Sequence, residues 1–334
     1  MSEQLLQWLA QVEEDALEPD LPICDAHHHL WDYPESRYLL DEILVDLNSG
    51  HNIRSTVFVE CGSMFRADGP EEMKTVGETE FVQGIAAMSG SGQYSPARVA
   101  AGIVGFANLH LGDGVSPVLE AHLAASPNRF KGIRHGCGWH KDERIRRSHS
   151  QPPEGLLTDT TFQKGFARLQ QYGLSFDAWL YHTQLGELTL LAQKFPDTLI
   201  ILDHVGGPLG IGPYEGKQDE VFQDWKKSIT QLAQCPNVVV KLGGLAMPVN
   251  GFKWHQRAQP PTSTELAAVQ EPYYLQCLEA FGVERCLFES NFPMDRLSCS
   301  YTVLWNAFKR ITKGFSATEK AALYHDNAIR NYRL

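Results

Sequence analysis

After Pro22 the chain alternates between two hydrophobic rhythms. Short apolar runs close in polar or Gly-rich residues, and each is followed by a stretch with helical period. Eight such runs are present: Ile23 to Leu30, Thr56 to Cys61, Val99 to Leu109, Phe130 to Trp139, Ser175 to His182, Leu199 to His204, Val238 to Leu245 and Cys286 to Phe292. Runs this apolar suit strands covered on both faces, as in parallel sheets. Between them, Phe162, Phe166 and Leu169 form a helical stripe closed by Gly173, and Leu185, Leu188, Leu191 and Phe195 form another stopped by Pro196. Phe222, Trp225, Ile229 and Leu232 mark a further helix, and Ser316 to Glu319 has the form of a capping box opening the last one. Eight βα repeats predict an α/β protein of the (β/α)8 TIM-barrel type. Glu3 to Leu17 sets Leu5, Leu6, Leu9 and Val12 on one stripe with Trp8, so residues 1–21 are expected to be a helical extension docked outside. The whole of 1–334 then reads as one barrel domain.

A dinucleotide-binding sheet fits less well. No G-x-G-x-x-G stands between the first strand and helix, and Pro208 inside Gly206 to Gly212 breaks a phosphate cradle after the sixth run.

Composition narrows the function classes. With 43% hydrophobic and 21% charged residues, disorder and coiled coil are excluded. Lys plus Arg at 29 against Asp plus Glu at 40 gives a net charge of -11, which opposes binding to nucleic-acid phosphates or anionic lipid. No segment approaches the roughly 20 apolar residues of a spanning helix, and the first 20 residues lack a basic start with an apolar stretch; a cytoplasmic location is expected. Seven cysteines lie scattered without a C-x-x-C pair and read as reduced core thiols.

In such a barrel, chemistry gathers at the C-terminal ends of the strands. The first run ends Asp25-Ala26-His27-His28-His29-Leu30-Trp31, where alternation puts His27 and His29 on one face and His28 on the other. Two imidazoles at that spacing can hold a divalent metal or an anionic group. His204, closing the sixth run, would complete a three-imidazole set of the kind zinc sites use, leaving a position for water. The eighth run ends Glu289-Ser290-Asn291-Phe292-Pro293-Met294-Asp295, and period two places Glu289 and Asn291 on a shared face. A carboxylate there can act as general base on water, which an amide cannot. Asp295 is a second candidate carboxylate, and Glu60, at the end of the second run, a third.

These segments, with Phe130-Lys131-Gly132-Ile133-Arg134, Leu202 to Gly206, Val240 to Leu245 and the closing His325-Asp326-Asn327-Ala328, together resemble the amidohydrolase 2 family of the amidohydrolase superfamily. The resemblance is to the branch that contains 2-pyrone-4,6-dicarboxylate lactonase, 4-sulfomuconolactone hydrolase and fuconolactonase. It implies a distorted barrel that opens a small lactone of a carboxylated or sugar-derived acid with water. His27, His29 and His204 correspond to histidines that hold one divalent metal, zinc, or polarise the carbonyl without metal, since family members differ. Where the family usually has an Asp that activates water, this chain has Asn291. The base is then expected at Glu289, with Asn291 positioning water; a barrel that only binds an organic acid is the alternative this departure raises. A zinc-dependent decarboxylase of aromatic or unsaturated acids is the other, since a related branch cleaves carbon–carbon bonds.

Loops after the strands suggest an anionic small-molecule substrate. Arg144, Arg146 and Arg147 form a basic cluster after the fourth run, and Arg134 stands at that strand's end. On the fifth run Ala178, Leu180 and His182 share one face, Asp177, Trp179 and Tyr181 the other, and His182 is expected in the pocket. Trp254, among Phe252 to Arg257, is a pocket residue or an oligomer contact, so a homo-oligomer stays open.

Overall fold

The computed structural model describes residues 3–334. All eight apolar runs become strands of one sheet, and the chain order is their spatial order. The strands are β1 (Pro22–His28), β4 (Asn52–Val59), β5 (Arg98–Gly105), β6 (Phe130–Arg134), β7 (Ser175–Ala178), β8 (Ile200–Leu202), β9 (Val238–Leu242) and β10 (Cys286–Phe288). A hairpin of β2 (Trp31–Tyr33) and β3 (Ser36–Tyr38) follows the first of them. Every neighbouring pair in the large sheet is parallel. The last and first strands meet through one parallel bridge, His28 to Phe292, where His29 N donates to Phe292 O at 2.8 Å and Asn291 N to His27 O at 2.9 Å. The result is a nearly closed barrel whose seam, a single bridge, lies beside the histidine triplet.

Helices cover the outside: α2 (Leu40–Leu47), α3 (Val76–Gly90), α4 (Ser116–Ala125), α5 (Thr160–Gln171), α6 (Leu185–Lys194), α7 (Gln218–Leu232), α8 (Ser263–Phe281) and α9 (Tyr301–Ile311). The predicted stripes lie on α5, α6 and α7, and Ser316 and Glu319 form the expected reciprocal cap before α10 (Ala317–Ala321). Strict alternation then sorts the strands. Ile200, Leu202, Val238, Val240, Cys286 and Phe288 face the helices, while Ile201, Val239 and Leu287 face inward against Cys24, Val57, Val59 and Val104. Ala328 and Tyr332, on the final helix α11 (Asn327–Tyr332), pack into that inner layer and close the N-terminal end of the barrel.

The N-terminal extension differs from its prediction. The helix α1 spans only Glu3–Leu9; Leu9 is buried but Leu6 is 48% exposed. Leu9 and Val12 of the stripe pack inward, and polar bonds add to their hold. Glu14 Oε1 accepts from Ser263 N at 2.8 Å at the start of α8, and Asn306 Nδ2 donates to Glu14 Oε2 and to Asp15 O, both at 2.9 Å. An acidic residue satisfies the free N–H groups of a helix start better than it would extend its own helix. All seven cysteines are free. Among the described residues no helix is long and apolar enough to cross a membrane.

Candidate active site

Two residues beyond the inner apolar layer, the same alternation turns a polar side chain inward on each of four consecutive strands. These are Asp177 on β7, Asp203 just past β8, Lys241 on β9 and Glu289 just past β10. All are fully buried, and Lys241 Nζ lies 2.8 Å from both Asp177 Oδ2 and Asp203 Oδ1, and 3.9 Å from Glu289 Oε2. Burial alone would pull Lys241 down, yet Asp177 and Asp203 hold it above the ordinary lysine range. Burial likewise favours protonated Asp203, but Lys241 and His27 keep it well below the usual carboxylate range. Burial, opposed by Lys241, raises Asp177 to about 6.

The histidine triplet divides as expected. His28 turns outward, its Nε2 2.8 Å from Thr56 Oγ1, while His27 and His29 face each other with their Nε2 atoms 3.2 Å apart. His29 Nδ1 lies 2.8 Å from Val59 O; a carbonyl only accepts, so this nitrogen carries the proton and neutral His29 presents a bare Nε2. Burial first, then His27 and Arg134, holds His29 well below the usual imidazole range. Burial and Lys241 also lower His27.

His204 joins them because the backbone beyond β8 turns left-handed, with φ +54° at His204 and +47° at Val205. Glu289 Oε1 accepts from His204 Nδ1 at 2.6 Å and from His204 N at 3.1 Å, and Glu289 Oε2 lies 2.9 Å from His27 Nδ1. One carboxylate thus accepts from His204 Nδ1 and stands at ion-pair distance from His27 Nδ1, which also has Lys241 Nζ at 3.2 Å. Burial would raise Glu289, but His204 and His27 hold it far below the usual carboxylate range. Room for this pair comes from Gly243 and Gly244. A Cβ at Gly243 would fall 2.3 Å from Glu289 Cγ, and one at Gly244, where φ is +68°, 2.3 Å from His204 Nδ1.

Other anticipated residues find varied places. Arg134 is buried and committed: its Nε donates to Glu60 Oε1 at 2.7 Å, and its Nη1 lies 3.5 Å from Asp203 Oδ2 and 3.4 Å from His27 Nε2. It braces the site from within. Asn291, with φ +55°, leaves the strand, so period two does not carry past Phe288; its Nδ2 donates to Asp295 Oδ1 at 2.9 Å. Asp295 also accepts from Ala246 N at 3.2 Å, and burial raises it to about 7. His182 accepts from Leu209 N at 3.2 Å and stands edge-on to Tyr214, holding the loop after β8. Trp254 is buried, with Arg257 5.4 Å above its ring. Arg144 is exposed and paired with Asp142 at 2.6 Å.

Four further members were not anticipated: Lys241, Asp177, Asp203 and His149, whose Nε2 meets Glu60 Oε2 at 2.8 Å. Lys241 carried a signal, as a lone cation inside the apolar run Val238–Leu242. His149 carried none, since it comes from a loop.

The donor set suits a divalent cation. His27, His204 and Glu289 each offer a ligand atom, all within 4.8 Å of one another, and the buried Glu289 Oε2 and both Asp203 oxygens lack a hydrogen bond of good geometry. Glu60, Asp177, Asp203 and Glu289 supply four carboxylates against the two fixed cations Arg134 and Lys241, an imbalance that a bound cation or protonated imidazoles would offset.

A nearly closed parallel barrel with a His/His/Glu centre at the C-terminal strand ends defines a class of barrel hydrolases. The chain matches the amidohydrolase family over residues 24–334 and belongs to it, as an enzyme of the hydrolase class. It is 35% identical over 337 residues to the uncharacterized protein y4mH of Sinorhizobium fredii, covering 94% of this chain and 99% of that one. It is 28% identical over 244 residues to an L-fucono-1,5-lactonase of Burkholderia multivorans, covering 71% of this chain and 73% of that one. The fold is similar to that of an amidohydrolase from Burkholderia multivorans whose crystal structure holds zinc, with 24% identity, TM-score 0.71, and 93% of this chain and 99% of that one covered.

Proposed function

We propose that this chain opens a small sugar-derived lactone with water. The observation that carries the reading is Glu289 Oε1 accepting from His204 Nδ1, with His27 alongside, in a chain similar to an L-fucono-1,5-lactonase. A carboxylate on Nδ1 fixes the tautomer and leaves Nε2 free to take a proton, the arrangement that orients an imidazole general base. The water oxygen bonds to the lactone carbonyl carbon as its proton passes to His204 Nε2. The ring C–O bond then breaks, and the departing alkoxide takes up that proton to give the hydroxy acid. Glu289 itself, held so far down, is a weak proton acceptor and serves as the orienting partner. Asp295, raised to about 7 and held by Asn291, is the further group that can exchange a proton near neutrality. If instead a divalent ion were held by His27, His204 and Glu289, zinc being the one expected, it would take the place of the His204 proton acceptor by polarising the carbonyl and supplying a more acidic water.

The charge inventory favours a neutral, hydroxyl-rich ring over a carboxylated one. Inside the mouth Arg134 and Lys241 are already committed to carboxylates, and Arg144 to Asp142, leaving Arg146 and Arg147 exposed on the loop with Arg147 over the Trp139 ring, whereas the buried carboxylates are acceptors for sugar hydroxyls. Half-buried Trp31 and Trp179 stand beside His29 and His204, with ring centroids 5.9 Å and 4.9 Å apart, and offer flat faces to a ring.

The test is turnover of a panel of neutral aldonolactones and carboxylated lactones by acid release, run in oxygen-18 water, with metal content per chain measured by elemental mass spectrometry. Label in the product acid from a neutral lactone is expected. Turnover confined to carboxylated lactones would overturn the substrate class, and carbon dioxide release without label would replace hydrolysis by decarboxylation. Near one zinc per chain, lost in His204→Ala, would assign the ion to the His/His/Glu centre.

A further inference from the structure

The barrel end opposite the histidines has a pocket of its own, of about 470 Å³, between the starts of β4 and β5, the start of β6 and the C-terminal segment. Its walls carry Arg54, Arg98, Arg129, Lys131 and Arg333, with His325 at the edge, and no acidic side chain lines it. In a chain of net charge -11 this is a local inversion of sign.

None of these five cations is neutralised within the described residues. The side chains of Arg54 and Arg98 are exposed and make neither hydrogen bond nor ion pair. Arg129 donates to the neutral amide of Gln83 at 3.1 Å, while Lys131 Nζ donates to Arg333 O and Arg333 Nη2 to Lys131 O, both at 3.0 Å. The acid beside the pocket, Asp326, is paired with His325 at 2.8 Å. Elsewhere on the surface arginines meet carboxylates, as Arg66 does Glu80 and Arg257 does Glu265. Converging unpaired cations repel one another, and a concave wall of one sign concentrates the field and attracts counter-ions.

The backbone makes the space. Between Ser55 and Val57 on β4, the partner strand advances from Arg98 to Gly102, so β5 bulges outward, with Ala100 at φ +52° and its N–H on Thr56 Oγ1 at 2.8 Å. A bulge of this kind bends a strand and re-aims its side chains, here Arg98.

We propose that this pocket is a binding site for a small phosphate-bearing anion of diphosphate size, separate from the lactone site. Guanidinium forks pair two oxygens at a time, which suits phosphoryl groups with several charges, and the volume falls in the range of small-molecule sites. The site lies at the barrel end where loops carry no chemistry, so its occupant stands outside the reaction.

Isothermal titration calorimetry of the full chain with inorganic pyrophosphate and with inorganic phosphate, at low and at 0.15 M salt, tests this. One saturable site per chain is expected, tighter for pyrophosphate and weakened by salt. Arg54→Ala and Arg98→Ala should each weaken it at least tenfold, Arg98→Lys less, and Glu289→Gln not at all. Absence of saturable heat in the unaltered protein would overturn the proposal. So would binding that survives Arg54→Ala with Arg98→Ala, or binding lost in Glu289→Gln, which would place the anion at the histidines. Circular dichroism of each variant keeps a folding defect apart from a binding defect.

Discussion

At the C-terminal mouth of the barrel, Arg134 and Lys241 are buried and each touches two carboxylates, whereas at the N-terminal end Arg54 and Arg98 stand exposed and touch none. Between the two ends lies a layer of Val57, Val104, Ile201, Val239 and Leu287. Tyr332 crosses it from below, donating its hydroxyl to Asp177 Oδ2 at 2.5 Å. The contrast shows how one alternating pattern serves two purposes. Where a strand's inward residue meets other inward residues, a charge is kept only if its partners are built in, because an uncompensated buried ion is costly. At the rim, water can solvate a charge, so unpaired cations persist there and remain available to a ligand.

The comparison breaks most severely at Glu289. Glu289→Gln removes the charge that orients His204 and faces His27, and kcat/KM for lactone opening should fall roughly hundred- to ten-thousand-fold while the circular dichroism spectrum is kept. A rate near that of the unaltered enzyme would take Glu289 out of the mechanism. Gly244→Ala should abolish turnover too, because the new Cβ would meet His204 Nδ1 at 2.3 Å and φ +68° disfavours a side chain; here recovery of the His204–Glu289 contact in a crystal structure would contradict the steric account.

Lys241→Met asks what pairing at the mouth is worth. It strands Asp177 and Asp203, and loss of one partner of a buried ion pair costs about 3–5 kcal/mol, read as a lower urea midpoint. An unchanged midpoint at pH 7 would mean that the carboxylates protonate or hydrate without penalty.

A smaller effect separates buried charge at the barrel's flank from both ends. Asp46, beside Arg296 and Tyr38 at 2.6 Å each, is raised by burial to about 6 despite both partners. The folded chain therefore holds this proton more firmly than the unfolded chain, and the group's contribution to stability falls as pH rises from about 4 to about 6. Asp46→Asn should flatten that slope, leaving the parallel contributions of Asp25 and Asp177, both also raised to about 6. Urea midpoints at pH 4.5 and 6.5 for the two proteins measure it, and an identical slope would rule the assignment out.

The smallest change belongs to the opposite rim. Arg98→Ala, at an exposed residue without partners, should move stability by no more than about 0.5 kcal/mol and leave kcat/KM within about twofold. A larger loss of turnover would show that the two ends communicate.

Much of this molecule was legible before folding was considered. All eight apolar runs are strands, because strands covered on both faces must be apolar throughout, and the partition of His27 and His29 from His28 followed from a period of two. The same apolarity concealed what lay beyond. All eight runs were read past the true strand ends, since the loops over the mouth are buried as well, and Glu289 and Asn291 were given one face although the strand stops at Phe288. On the fifth run His182 was taken as the pocket residue, whereas Asp177 faces inward, toward Lys241 and Tyr332. A strand that is apolar on both sides does not state which side is inside. That choice, with the meeting of Lys241, Asp177 and Asp203 from three strands and of His149 with Glu60 from a distant loop, was made only by barrel closure. Local sequence sets the alternation of side chains, but which alternate set shares an interior depends on the curvature of the whole sheet.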